Sequence, residues 1–103
     1  HKIMLYIENN YSKNITLAQI SDMVHLNPSY FSKKFKAVNG FGFKDYLNKV
    51  RINHSEKLLL ETDKSITDIA FECGYINSNY FGDAFRHLNK VSPSTFRKMN
   101  GNI

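Results

Sequence analysis

The 103-residue sequence has one cysteine, no tryptophan and only two prolines, and it holds no long apolar run. A lone cysteine excludes an intramolecular disulfide framework and favours an intracellular setting. A membrane helix needs about 18 consecutive apolar residues, and a secretory leader needs a basic start before an apolar core; neither pattern occurs. His1, His25, His54 and His87 stand at no metal-ligand spacing and have no cysteine cluster beside them, so no metal site is expected. A glycine-rich phosphate loop, a nucleophile elbow and a base paired with Cys73 are all missing, so an enzyme is the least supported class and no cofactor is expected.

What is present is aromatic and basic. Six tyrosines and eight phenylalanines supply bulk for small cores, and 42% hydrophobic content suits one domain or two lobes of roughly 50 residues each. The net charge of +5 is unevenly shared: residues 1–51 hold eight Lys/Arg against three Asp/Glu, and residues 52–103 hold six against six. A basic domain points to nucleic acid or to an anionic membrane surface. The chain opens on His1, not Met, and reads as a piece of a longer protein whose missing part lies upstream.

The stretch Ile66 to Phe85, ITDIAFECGYINSNYFGDAF, organises the rest. Ile66, Ile69, Ala70 and Cys73 share one helix face, Gly74 allows a sharp turn that returns Tyr75 to the core, and Asn77 or Ser78 caps a second helix. That second helix is expected to bury Phe81, Phe85 and Leu88. Helix, tight turn, helix is the plan of a helix-turn-helix unit. The first half repeats it: Leu17, Ile20 and Val24 match Ile66, Ile69 and Cys73 at an offset of 49, and Tyr30, Phe31 and Phe35 match Tyr80, Phe81 and Phe85 at 50. Two units with turns differing by one residue would give that change of offset.

Ile3, Tyr6 and Ile7 predict a first short helix, ended by Asn9-Asn10 and Ser12. Thr16 with Gln19 forms a capping box, and Asn27-Pro28 supplies the N-cap and first residue of a helix expected to bury Phe31, Phe35 and Val38. His25 stands at the turn where the second unit has Gly74. From Phe43 to Glu61 a helical period runs without glycine or proline, carried by Phe43, Tyr46, Leu47, Val50, His54 and Leu58. At about 1.5 Å per residue such a helix is roughly 28 Å long, near the ~34 Å of one DNA turn. Ser65 with Asp68 caps the next helix, and Ser92-Pro93 opens a last one carrying Phe96, Arg97 and Lys98. The expected architecture is all-α, with about seven helices: a first helix-turn-helix lobe over 1–42, a connector helix over 43–61 and a second lobe over 62–103.

These residues resemble a known family. ITDIAFECGY, then NYF with Phe85 four residues on, then SPSTFRK, is similar to the C-terminal signature of the AraC/XylS family of bacterial transcription regulators, and NPSYFSKKFK followed by DYLNKVRI agrees in the first half. The resemblance implies the output domain of a ligand- or phosphorylation-controlled regulator in the bacterial cytoplasm. The implied partners are double-stranded DNA, an upstream sensor or receiver domain, and RNA polymerase. Three departures from the pattern stand out: Lys90 stands at a usual glycine, Gly82-Asp83 at Ser-Arg, and Gly42-Phe43 at Ser-Pro.

If the aromatic face is the core, helical geometry turns Ser29, Ser32, Lys33 and Lys36 outward, and Asn79, Gly82, Asp83 and Arg86 in the second unit. The resemblance puts base contacts on Ser29, Ser32 and Lys33. Lys33 suits guanine O6 or N7 and Asn79 suits adenine; Asp83 either accepts from cytosine N4 or is repelled by the phosphate backbone. Lys34, Lys36 and Arg86 are expected at phosphates, adding affinity and salt dependence without sequence preference. Tyr30, Phe31, Tyr80 and Phe81 are expected to be core residues and not stacking platforms. The resulting function is sequence-specific duplex binding, as a monomer, by two units in successive major-groove segments. The alternative keeps the first unit on DNA and makes the second a protein-interaction module for RNA polymerase or the upstream domain. A membrane-surface role is disfavoured, because the cores need the apolar faces.

Overall fold

The computed structural model describes residues 2–100, and all regular structure among them is helical. Seven helices follow in order: α1 (Lys2–Asn10), α2 (Leu17–Met23), α3 (Pro28–Asn39), α4 (Phe43–Glu61), α5 (Ile66–Glu72), α6 (Ser78–Asn89) and α7 (Pro93–Asn100). Their starts are written locally. Thr16 Oγ1 accepts from the Gln19 amide at 3.1 Å while Gln19 returns the bond to the Thr16 amide, also at 3.1 Å. Ser65 Oγ accepts from the Asp68 amide at 3.0 Å, and Ser92 Oγ accepts from the Thr95 amide at 3.2 Å. Each such cap satisfies an amide that the helix itself leaves orphaned.

The chain divides into two compact units between Val50 and Arg51, inside α4. In the first unit, Ile3, Ile7, Ile15, Ile20, Phe31, Phe35, Phe43, Leu47 and Val50 form the core. Phe35 lies at the centre of its aromatic cluster, 5.7 Å from Phe31 and 6.4 Å from Tyr46 between ring centroids. In the second unit, Ile52, Leu59, Ile69, Ala70, Cys73, Tyr75, Phe81 and Phe85 are buried. Phe85 repeats the part of Phe35, 5.8 Å from Phe81 and 5.3 Å from Phe96. The sequence repeat is therefore a repeat of packing.

Two corrections concern the ends of the aromatic faces. Val38 is 72% exposed and Leu88 43% exposed, so neither belongs to its core. Asn39 and Asn89 are the half-buried residues of those last turns, and Asn39 Nδ2 donates to the Phe35 carbonyl at 3.0 Å. The buried side of each helix is centred past the Phe-Phe line, toward Ser32 and Gly82, which leaves position 38 or 88 at the margin.

A third correction concerns α4. Its buried positions are Phe43, Leu47 and Val50, then Ile52, Ser55 and Leu59, whereas His54 and Leu58 are only half-buried. The step from Val50 to Ile52 is about 200° of helix rotation, so one continuous helix carries two buried stripes. A single period drawn through all 19 residues merges them. Ser55, fully buried, donates its hydroxyl to the Ile52 carbonyl at 2.7 Å and so enters the core with its polar group satisfied.

Arg97 closes the second unit. Its Nε donates to the Leu59 carbonyl at 3.0 Å and its Nη2 to the Thr62 carbonyl at 3.1 Å, so a cation from α7 satisfies the C-terminal end of α4. Arg51 lies 5.4 Å from the Tyr75 ring centroid, and burial lowers its pKa. Up to Val50 the chain holds seven Lys/Arg against three Asp/Glu, and from Arg51 onward seven against six.

Candidate nucleic-acid interface

The two helix-turn-helix turns share one hydrogen-bond scheme. In the first, the His25 amide donates to the Asp22 carbonyl at 3.1 Å and the Leu26 amide to Ser21 at 2.9 Å. In the second, the Gly74 amide donates to Phe71 and the Tyr75 amide to Ala70, both at 3.0 Å. The turn residue is left-handed in each, with φ 58° at His25 and 99° at Gly74. After α3 and α6 the chain turns left-handed again, at Gly40 (φ 81°) and Lys90 (φ 68°). Each unit thus has one glycine and one side-chain-bearing residue at its two left-handed positions.

Asn27 Oδ1 accepts from the Ser29 and Tyr30 amides at 2.9 and 3.3 Å, and Asn77 Oδ1 accepts from the Tyr80 amide at 2.8 Å. These caps fix where α3 and α6 begin, and so which residues face outward. On α3, Ser29, Lys33, Lys34 and Lys36 are exposed, and Ser32 is half-buried on the shoulder nearer the core. No acidic residue lies in this helix. On α6, Asn79, Asp83 and Arg86 are exposed, but Arg86 Nη2 donates to Asp83 Oδ1 at 2.9 Å. The α6 surface is therefore close to neutral where the α3 surface is strongly positive. Gly82 is half-buried and open enough for a Cβ, which would meet nothing within 4 Å.

The tyrosines correct the sequence expectation. Phe31 and Phe81 are buried, but Tyr30 is 53% and Tyr80 64% exposed, so both stand on the outer surface of their helices. Lys34 Nζ lies 5.8 Å from the Tyr30 ring centroid, which adds an aromatic support to the basic face. The signal was present in the dipeptide: consecutive helical residues point about 100° apart, so Tyr-Phe cannot bury both rings against a narrow core. Cys73 is fully buried and its thiol is pushed up to about 11, a packing residue and not a nucleophile. Among the described residues no group of three His, Cys, Asp or Glu side chains is placed to hold a metal ion, and no helix is long and apolar enough to cross a membrane.

Two short helix pairs with tight turns, each presenting its second helix outward, define a double helix-turn-helix DNA-binding domain. Comparison with known proteins agrees: the family model described as a helix-turn-helix domain matches residues 20–99. The C-terminal domain of AraT, a response regulator from Geobacillus stearothermophilus, superposes with a TM-score of 0.93 at 30% identity, over 99% of this chain and 85% of that one. YijO of Escherichia coli (strain K12), described as an uncharacterized HTH-type transcriptional regulator, is 33% identical over 93 residues, which are 90% of this chain and 33% of YijO. The chain thus spans about a third of that relative's length. The DNA-binding domain of AdpA, solved with a target DNA, shares the fold at a TM-score of 0.89 and 17% identity, over 95% of this chain and 88% of that one. The chain belongs to the AraC/XylS family of helix-turn-helix transcription regulators.

Proposed function

We propose that this domain binds duplex DNA sequence-specifically, as a monomer, with α3 and α6 in successive major-groove segments, and serves as the output part of a bacterial cytoplasmic regulator. The observation that carries the proposal is the outer face of α3: Ser29, Lys33, Lys34 and Lys36 exposed, without an acidic residue, on the second helix of a helix-turn-helix. Lys33 donates to guanine, with Ser29 and Ser32 as hydroxyl partners for neighbouring base edges. Lys34 and Lys36 meet phosphates. In the second unit Asn79 and Asp83 face bases and Arg86 a phosphate. The first unit supplies most of the affinity, because its helix face carries unopposed cations.

Selection of bound duplexes from a random pool of about 30 base pairs, long enough for two contacts one turn apart, tests the proposal. Two enriched boxes about one turn apart are expected. A single box would leave DNA reading to the first unit alone. No enrichment, with binding that vanishes in moderate salt, would reduce the domain to a basic surface.

One observation favours a second reading for α6. The Asp83–Arg86 pair neutralises its outer face, and Phe71 of α5 is exposed in the same unit. A near-neutral, partly apolar surface suits a protein partner such as RNA polymerase or a regulatory domain of the same regulator. The single-box outcome above is the result that would favour it.

A further inference from the structure

We infer that Ile76 contacts a thymine methyl group in the major-groove segment entered by the second unit, and so gives that unit a preference for an A·T pair that the first unit lacks. The inference rests on α6 being a DNA-reading helix.

The first observation is an insertion. The hydrogen bonds of the two turns align at an offset of 49 as far as Leu26 and Tyr75, since Leu26 donates to Ser21 and Tyr75 to Ala70. From the N-caps onward they align at 50: the Phe31 amide donates to the Asn27 carbonyl, and the Phe81 amide to Asn77. One residue lies between Tyr75 and Asn77 with no counterpart in the first unit, and it is Ile76. The one-residue difference between the repeats is this side chain.

The second observation is its exposure. Ile76 is 84% exposed, the most of any exposed large hydrophobic residue among those described. An isoleucine inserted for the fold would be buried, and one inserted as a spacer would have no reason to be aliphatic. Its backbone is held on both sides. Tyr75 is buried, 5.5 Å from Phe81 between ring centroids, and Asn77 is fixed as the cap of α6. A β-branched side chain on a backbone fixed at both neighbours loses little freedom on contact.

Position and chemistry select the occupant. Helix-turn-helix units bring the N-terminal residues of the second helix to the base edges, and Ile76 immediately precedes the cap of that helix. In the major groove the apolar group offered by a base pair is the thymine C5 methyl. Asn79, exposed in the first turn of α6, has the amide that pairs with adenine N6 and N7, so both groups favour a box containing A·T pairs.

The test uses the full chain and a duplex bound through both boxes. Each thymine of the second box is replaced in turn by uracil, which removes the methyl and leaves every hydrogen-bonding group in place. At one or two positions uracil should weaken wild-type binding by about fourfold, the equivalent of one buried methyl group. Ile76→Ala should show a similar loss on the thymine duplex and no further loss on the uracil duplex. Because Ile76 is exposed, the variant should melt like the parent. Uracil without effect anywhere in the second box, or with equal effect on parent and variant, overturns the assignment. So does Ile76→Ala that loses transcription activation with unchanged DNA affinity, which would make Ile76 a protein contact. A scrambled second box separates the two levels of failure. If scrambling costs affinity but uracil does not, only the Ile76 assignment falls; if scrambling costs nothing, the reading of α6 falls with it.

Discussion

Lys90 holds φ 68° at the end of α6, where the first unit has Gly40 at 81°. A side chain in that region costs roughly 1–2 kcal/mol through Cβ contact with the backbone, a cost that glycine avoids. Lys90 offsets little of it, with one exposed bond of 3.2 Å from its Nζ to the His87 carbonyl. Lys90→Gly should therefore raise stability by about 1 kcal/mol in urea unfolding. Gly40→Ala is the mirror experiment. The added Cβ would meet nothing within 4 Å, so any loss is backbone strain alone. An unchanged midpoint in both variants would mean that the left-handed turns are not strained.

Alkaline stability depends on two buried groups of the second unit. Burial pushes the Cys73 thiol up from 9.0 to about 11 and the Tyr75 hydroxyl up from 10.0 to about 12. In the window between the unfolded and folded values the unfolded chain has lost protons that the native chain keeps, so stability falls as pH rises. It is fully present below about pH 9 and declines towards pH 11 and beyond. Cys73→Ala should lower stability at pH 7 through the small cavity it leaves, yet show a shallower decline between pH 9 and 11. Parallel declines for parent and variant, followed by thermal melting, would remove the thiol from the account.

Among the elements, α4 is tied to a partner distant in sequence. Arg97 reaches back from α7 to the Leu59 and Thr62 carbonyls with two charge-assisted bonds at a helix C-terminus. Arg97→Ala should destabilise the domain by about 1.5–3 kcal/mol, and Arg97→Lys by less, since one ammonium does not reproduce the fork. Neither should change which DNA sequence is selected. A shift in preference without loss of stability would mean that Arg97 works at the DNA. In the sequence Arg97 stands out only as one residue of the last helix. Its partner carbonyls lie 38 and 35 residues away, and backbone carbonyls leave no residue-type signature.

The same contrast runs through the other elements. Caps at Thr16, Asn27 and Ser65, and the left-handed turn at Gly74, were legible because each is a local match between one side chain and one backbone need. The phase of a buried face was not. Periodicity gives the spacing of apolar residues, but the neighbouring elements decide which side is covered, and so Val38 and Leu88, expected in the cores, lie outside them, while the single period drawn through His54 and Leu58 merges two buried stripes of α4. Tyr30 and Tyr80 were missed as surface residues for the same reason. The outer lysines of α3 were readable because an unpaired cation has no place inside a small core.

At the scale of the whole molecule the two units differ in charge, seven Lys/Arg against three Asp/Glu up to Val50 and seven against six from Arg51 onward, and the proposed binding mode gives them different tests. The first unit presents Lys33, Lys34 and Lys36 on one helix, and if they divide the work their variants differ in kind. Lys36→Ala should weaken binding to all sequences alike and lower the slope of log affinity against log salt by about one. Lys33→Ala should cost about 1–3 kcal/mol at one base position and relax preference there. Equal, sequence-blind losses from both would mean that the whole face is electrostatic.

The second unit gives the complementary test. Asp83 is engaged by Arg86 at 2.9 Å, and both side chains remain largely exposed, so the pair itself contributes little to folding. If α6 meets DNA as proposed, the pair matters more for binding, because it cancels a cation on the outer face of that helix. Asp83→Arg removes the acid, frees Arg86 and adds a second cation. Overall affinity should rise and the salt slope steepen by one to two, as expected for one or two added phosphate contacts. If Asp83 also accepts from cytosine, preference at that position of the second box should disappear in the same variant. A variant that gains affinity with its box preference intact would put Asp83 beside the phosphates. A variant that gains none, at any salt, would hold α6 away from DNA and leave its outer face to a protein partner.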